Sequence, residues 1–333
     1  MWGTPLTRRR LGGVVGLGIA ATGGAALGAR PLMELADGRM RDLRLLVPNS
    51  PGSGYDMTAH VVGEVLDATG LTRGVEVFNV VGDAGVTGLH HLITEGGNER
   101  LLASMGLGLL GGVIANQADS LLGETASIAR LVSEPEAILV PANSVYRNLG
   151  DLIRDWKAHP STVLVGGGSA VGGPDHLAPM LIAEYVGLIP KSVNYIAHDG
   201  RGRLMGSLLN NKVTFAVAGV GEFAHQLRTG EFRALAVAAY ERAAGLNIPT
   251  TREFGINIEL FNWRGLVAPP GLSLTQRATL ERVIASLVAT PQWKQHLAEN
   301  NWQDAYLSAA RFHAFLNTET ARVRRVLGGL GVA

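Results

Sequence analysis

The chain has 333 residues, 47% of them hydrophobic and 17% charged, which supplies core for one large or two medium domains and excludes an intrinsically disordered chain. Lys+Arg 29 against Asp+Glu 28 gives a net charge of +1, which speaks against a strongly basic nucleic-acid binder. Cysteine is absent, so disulfides, thiolate metal sites, cysteine nucleophiles and lipidated-cysteine anchors are excluded.

Residues 1–28 hold Arg8, Arg9 and Arg10, no acid, and then an apolar run from Leu11 to Gly28. A basic start, a short apolar stretch and a small-x-small exit at Ala26-Leu27-Gly28 describe a signal peptide. Thr7-Arg8-Arg9-Arg10-Leu11 also fits the twin-arginine export pattern. The alternative is an uncleaved N-terminal anchor, since the run is just long enough to span a bilayer. Either way, the rest of the chain is expected to work outside the cytoplasmic membrane, in the periplasm or its equivalent.

Beyond the signal, a strand is expected at Leu43–Val47, then the loop Asn49–Tyr55 and a helix from Asp56 that Gly70 closes. A second strand at Val75–Val81 leads through the glycine loop 82–88 into a helix ending near Leu92. A third, Leu101–Met105, again stops at glycine, Gly106. Strand, glycine loop, helix: this alternation points to an α/β fold with mostly parallel sheets. The pattern restarts with strands at 137–140 and 162–165, a helix at 151–159, a glycine loop at 166–174 and a helix at 175–186. Strands at 193–196, 214–218 and 234–238 follow, with a helix at 202–209. A tail of three helical stretches, at 275–287, 291–299 and 309–327, ends the chain.

In parallel sheets, ligands sit beyond the carboxyl ends of strands, where loops meet helix N-termini. Four glycine-rich loops occupy such positions. Pro51-Gly52-Ser53-Gly54-Tyr55-Asp56 opens a helix whose free N–H groups suit an anion, although Asp56 also reads as a plain cap. The second loop, 82–88, adds the Thr87 hydroxyl but lacks the ending of a phosphate-binding loop. The third, 166–176, misses both the dinucleotide fingerprint and the hydrolase elbow, because Val171 stands where glycine is needed. Its Ser169, Asp175 and His176 make a poor triad, since neighbours on a helix project roughly 100° apart. The fourth is His198–Arg203, in which Arg201 or Arg203 either meets an anionic ligand or lies on a solvated face. Metal-ligand spacing is missing as well, and no cofactor is implied.

The stretches VPNSPGSGYDMTAH, VEVFNVVGDAGVTGL, GGGSAVGGPDHLAPML, VNYIAHDGRGRLMGSLL, FRALAVAA and NWRGLVAPPG, in this order, resemble the extracytoplasmic solute-binding receptors of tripartite tricarboxylate transporters, also called Bug-type receptors. The resemblance implies a two-lobed, periplasmic-binding-protein-like (Venus flytrap) fold that closes on a small carboxylate such as citrate. It also implies delivery to a membrane permease of large and small subunits, with no catalysis. Carried over, the ligand-binding residues are Ser53, Gly54, Tyr55 and Asp56, facing Gly168, Ser169, Asp175 and His176. Thr87, Met105, Gly106, Gly200, Arg201 and Gly202 fill the remaining cleft-facing positions. One lobe is expected from 40–140 plus 263–333 and the other from 141–262, in a monomer. The rival readings are a receptor that reports to a signalling partner and a secreted hydrolase using Ser169.

Overall fold

The computed structural model describes residues 40–242 and 247–331, so the expected signal peptide at 1–28 lies outside the described residues. Strand β1 (Met40–Val47) leads into helix α1 (Gly54–Ala68), strand β2 (Thr72–Asn79), helix α2 (Val86–Thr94) and strand β3 (Leu101–Gly106). These are the first three strand–glycine–helix units of the sequence. Helix α3 (Leu107–Ala115) follows directly from β3, where the sequence reading placed no element. Seven of its nine residues are buried, so it has no polar face and no amphipathic period to read.

Strand β4 (Ala126–Pro141) begins eleven residues before the stretch read as a strand at 137–140. Ser133, Glu134, Pro135 and Glu136 interrupt the apolar pattern there, and proline normally argues against a central strand. The pairing resolves the conflict. One neighbour of β4, strand β10 (Gln303–Ser308), pairs up to Ser133, and the strand that succeeds it on β4, β8 (Phe232–Val237), starts at Ala137. Pro135 sits in the gap between them, where its missing N–H breaks no continuous ladder.

After β4 come α4 (Leu149–Ala158), β5 (Leu164–Gly167), α5 (Pro174–Tyr185), β6 (Asn194–Ala197), α6 (Gly200–Leu209), β7 (Phe215–Gly219) and the short α7 (Ala224–Thr229). Beyond β8, strand β9 (Phe261–Ala268) returns alongside β4. Helices α8 (Leu274–Ala289), α9 (Pro291–Glu299) and α10 (Ala309–Leu330) complete the tail. Two expectations need correcting. The tail is not wholly helical, because Gln303–Ser308 forms β10, antiparallel to β4. The sheet is also mixed rather than mostly parallel: β1–β2, β1–β3, β5–β6 and β5–β7 are parallel, while every pairing of β4 and of β9 is antiparallel.

The strand order β2-β1-β3-β9-β4-β7-β5-β6 places β4 at the centre. Its residues 126–135 pair with β9, and 136–139 pair with β7. All the glycine loops leave the carboxyl ends of parallel strands on the two sides of this central strand. The tail anchors on the first side. Trp263 of β9 lies edge-on to Phe312 and Phe315 of α10, at centroid distances of 5.7 and 5.2 Å, and its Nε1 donates to Glu319 at 3.1 Å.

Phe312 is fully buried against Trp263. Phe312→Ala should therefore lower the unfolding free energy by about 3–5 kcal/mol, read from denaturant titration. A loss below about 1 kcal/mol would show that α10 is not part of the cooperative core.

Candidate functional site

A cavity of about 320 Å³ opens where the glycine loops meet. Four helix N-termini border it: Ser53–Tyr55 of α1, Gly108 of α3, Pro174 and Asp175 of α5, and Gly200 of α6. Each contributes a partial positive charge and N–H groups without intrahelical partners. Some of those groups are already used inside the protein. Leu109 N–H donates to the Tyr55 hydroxyl at 2.8 Å, and Asp175 N–H donates to Ser169 Oγ at 3.2 Å. The Asp56 N–H is capped by Ser53 Oγ at 3.3 Å.

Of the residues carried over from the resemblance, Ser53, Gly54, Tyr55, Gly168, Ser169, Asp175 and Gly200 line this cavity. The others stand behind or beside it. Asp56 is buried and accepts the Gly52 N–H at 2.8 Å and Asn79 Nδ2 at 2.9 Å, which pins the loop after β1. Thr87 is exposed and donates to Asp83 Oδ2 at 3.2 Å. Met105 and Gly106 are buried at the end of β3, where a Cβ on Gly106 would run into the Trp263 carbonyl and the Tyr55 ring. His176 accepts the Gly172 N–H on Nδ1 at 3.3 Å and meets the Tyr195 ring edge-on. Arg201 donates from Nη1 to the Glu222 carbonyl at 3.0 Å, and Gly202 is exposed.

The loops at 82–88 and 198–203 were located from the sequence, but most of their lining residues were not among those carried over. Gly82, Asp83, Ala84 and Gly85 all hold positive φ, between 47° and 152°, so this loop turns its backbone towards the cavity. Asp83 and Ala84 adopt it despite their side chains, a mildly unfavourable conformation for both. His198 and Asp199 come from the loop before α6. Ser50 Oγ donates to Asp199 Oδ1, joining the loop after β1 to the start of α6. Glu222, Asn262 and Arg264 form the side nearest the central strands.

Ser169 and His176 do not form a hydrolytic pair among the described residues, since each is hydrogen-bonded to a backbone group of its own loop or helix. Asp175 accepts the Gly168 N–H at 2.6 Å. Burial pushes its carboxyl up to about 6, although that N–H and Arg264 pull the other way. Burial also pushes Glu222 up to about 8, against Arg264 and with the help of nearby Asp175 and Glu134. Removal from water pushes His176 down to about 4.

The family model described as the tripartite tricarboxylate transporter family receptor matches residues 121–332, well over half of the chain. The chain belongs to this receptor family. Solved structures agree on the fold. The receptor superposes on the periplasmic binding protein BugD with a TM-score of 0.79 at 20% identity, covering 88% of this chain and 98% of that one. It is also similar to MatC from Rhodopseudomonas palustris, solved with bound malate (TM-score 0.77, 19% identity, 86% and 99% covered). A second R. palustris protein, solved with adipate, gives a TM-score of 0.79 at 20% identity, with 87% and 97% covered. The receptor therefore has the α/β architecture of the periplasmic binding proteins, built on a mixed sheet.

The neutral ring of His176 accepts a backbone N–H, whereas in the unfolded chain it titrates near 6.5. The unfolded state thus binds more protons between about pH 6.5 and 4, and this contribution to stability is lost as pH falls through that window. His176→Gln should remove it: the melting temperature of the variant relative to wild type should rise as pH drops from 6.5 to 4.5. A difference independent of pH would show that His176 is not held neutral.

Proposed function

We propose that this receptor captures a small carboxylate, of dicarboxylate size, between two lobes and hands it to a transporter permease of large and small subunits. The observation that carries the reading is the convergence of four positive helix ends on one cavity. Such an arrangement holds an anion with main-chain donors and needs no catalytic acid or base. Two proteins of similar fold were solved with malate and with adipate, ligands of this class.

Of the two lobes, residues 40–140 with 263–333 make one and 141–262 the other, with β4 and β9 carrying the chain across. Ligand binding favours the closed arrangement because only there do loops from both sides reach the same molecule. The receptor acts as a monomer outside the cytoplasmic membrane, exported by its twin-arginine signal. Among the described residues no helix is long and apolar enough to cross a membrane.

A thermal-shift screen of residues 30–333 against malate, adipate, citrate and neutral analogues tests the reading. A ligand at 100 times its dissociation constant should stabilise the fold by about 2.7 kcal/mol. No shift with any carboxylate would overturn the proposal.

Closure has its own marker. A Cβ at Gly111 of α3 would collide with the Gly172 carbonyl in the loop before α5, so backbone meets backbone across the two lobes. Gly111→Ala should leave the receptor folded and weaken ligand binding by about tenfold or more, equivalent to about 1.4 kcal/mol. Unchanged affinity would mean that this contact plays no part in the ligand-bound form.

A further inference from the structure

The side of the cavity nearest the central strands holds more acid than base. Arg264 is the one guanidinium there, 2% exposed, and its Nη2 is shared between Glu134 at 2.5 Å and Glu222 Oε1 at 3.1 Å. Its Nη1 is buried and has no hydrogen-bond partner. Gly54 shows how closely this group is packed: a Cβ there would collide with both Arg264 Nη2 and Glu222 Oε1. A cation thus lies against the first turn of α1, one positive end beside another, with a donor left over. An acceptor carrying negative charge would complete it.

We propose that Arg264 and Glu222 together receive one carboxylate of the ligand, Arg264 donating from Nη1 and Glu222 from a protonated carboxyl oxygen, so that binding is linked to the proton on Glu222. This rests on the carboxylate reading of the cavity. The proton follows from crowding. Glu134 and Glu136 of β4, Asp175 of α5 and Glu222 itself interact with one another around Arg264, with Arg201 reaching only Glu222 among them. Arg264 Nη2 lies 2.5 Å from Glu134 Oε1 and donates to Glu222 Oε1 at 3.1 Å, and the Gly221 N–H (2.5 Å) donates to Glu134 Oε2, so one guanidinium nitrogen is divided between two carboxyls.

The sign of the pH dependence follows. The charged groups around Glu222 are Arg264, Arg201, Asp175, Glu134 and Glu136, and burial outweighs the two arginines to hold it up to about 8. A ligand carboxylate beside it raises that value further. Below about pH 8 the free receptor already carries the proton, and none moves on binding. Above it, binding takes a proton from solvent, and affinity falls as pH rises, by up to about tenfold per pH unit. Asp175, up to about 6, titrates below this window. Glu136 is held well above the usual carboxylate range by burial and by its acidic neighbours, and does not line the cavity.

Titration calorimetry with malate and adipate, from about pH 7 to 9.5 in two buffers of different ionisation enthalpy, tests this. Wild type should take up close to one proton per ligand near pH 9, and none near pH 7. Glu222→Gln removes the titrating group, so it should bind with no proton uptake at pH 9 and with an affinity that no longer falls between pH 7 and 9.5. Glu136→Gln should keep the wild-type uptake. Arg264→Lys keeps a charge for Glu134 but loses the fork, and should bind about tenfold or more weakly; should it fail to fold, the Glu222→Gln comparison still decides. Wild-type binding without proton uptake near pH 9, or uptake that survives in Glu222→Gln, overturns the proposal. Absence of binding by either acid at any pH overturns the carboxylate reading itself, a result distinct from binding without a proton.

Discussion

A single buried guanidinium ties together the parts of this receptor. Arg264 lies on β9 opposite Val132 of β4, two positions before β4 presents Glu134 and four before Glu136. An uncompensated charge at such a depth would be strongly destabilising, so cation and acids have to arrive together. That requirement bears on register. Sliding β9 by one residue along β4 would turn Arg264 to the opposite face and leave Glu134 buried without its cation. It also bears on the start of α1, where only glycine lets the helix approach the Arg264–Glu222 pair. Register, helix approach and cavity wall thus share one electrostatic constraint.

Much of the layout was legible in the sequence because strand–glycine–helix alternation is a local signal. The loops at 51–56, 166–176 and 198–203 could be located from glycine and helix-start residues alone, and each supplies residues to the cavity wall. Which member of a loop faces inward was not legible, because that depends on hydrogen bonds made at long range. Asp56 turns to Asn79, 23 residues away, and Arg201 to Glu222, 21 away. Arg264 and Glu222 were harder still. The arginine sits in a mostly apolar strand and its partner in the short turn after β7, 42 residues apart in sequence. Their pairing exists only once β4 and β9 have met.

Helix α3 and the early part of β4 failed for opposite reasons. Leu107–Ala115 is apolar on every side, so burial erased the period by which helices are recognised. The 126–136 stretch carries acids and a proline inside a strand, features that belong to the change of neighbours on β4 and not to a surface. Departures from a regular pattern mark, in this chain, the place where the two halves of the sheet are joined.

The four helix ends have a mechanical meaning besides their affinity for anions. Like partial charges repel, and bringing the N-termini of α1 and α3 towards those of α5 and α6 brings positive towards positive. Approach of the two halves is therefore opposed by the very groups proposed to hold the ligand, and a carboxylate between them would turn repulsion into attraction. The Ser50–Asp199 hydrogen bond adds only a modest tether across the same gap. Under the proposed function, a receptor built this way would act as a spring loaded towards open, with the anion as its catch. A neutral molecule of the same shape would fill the space and still fail to hold it shut.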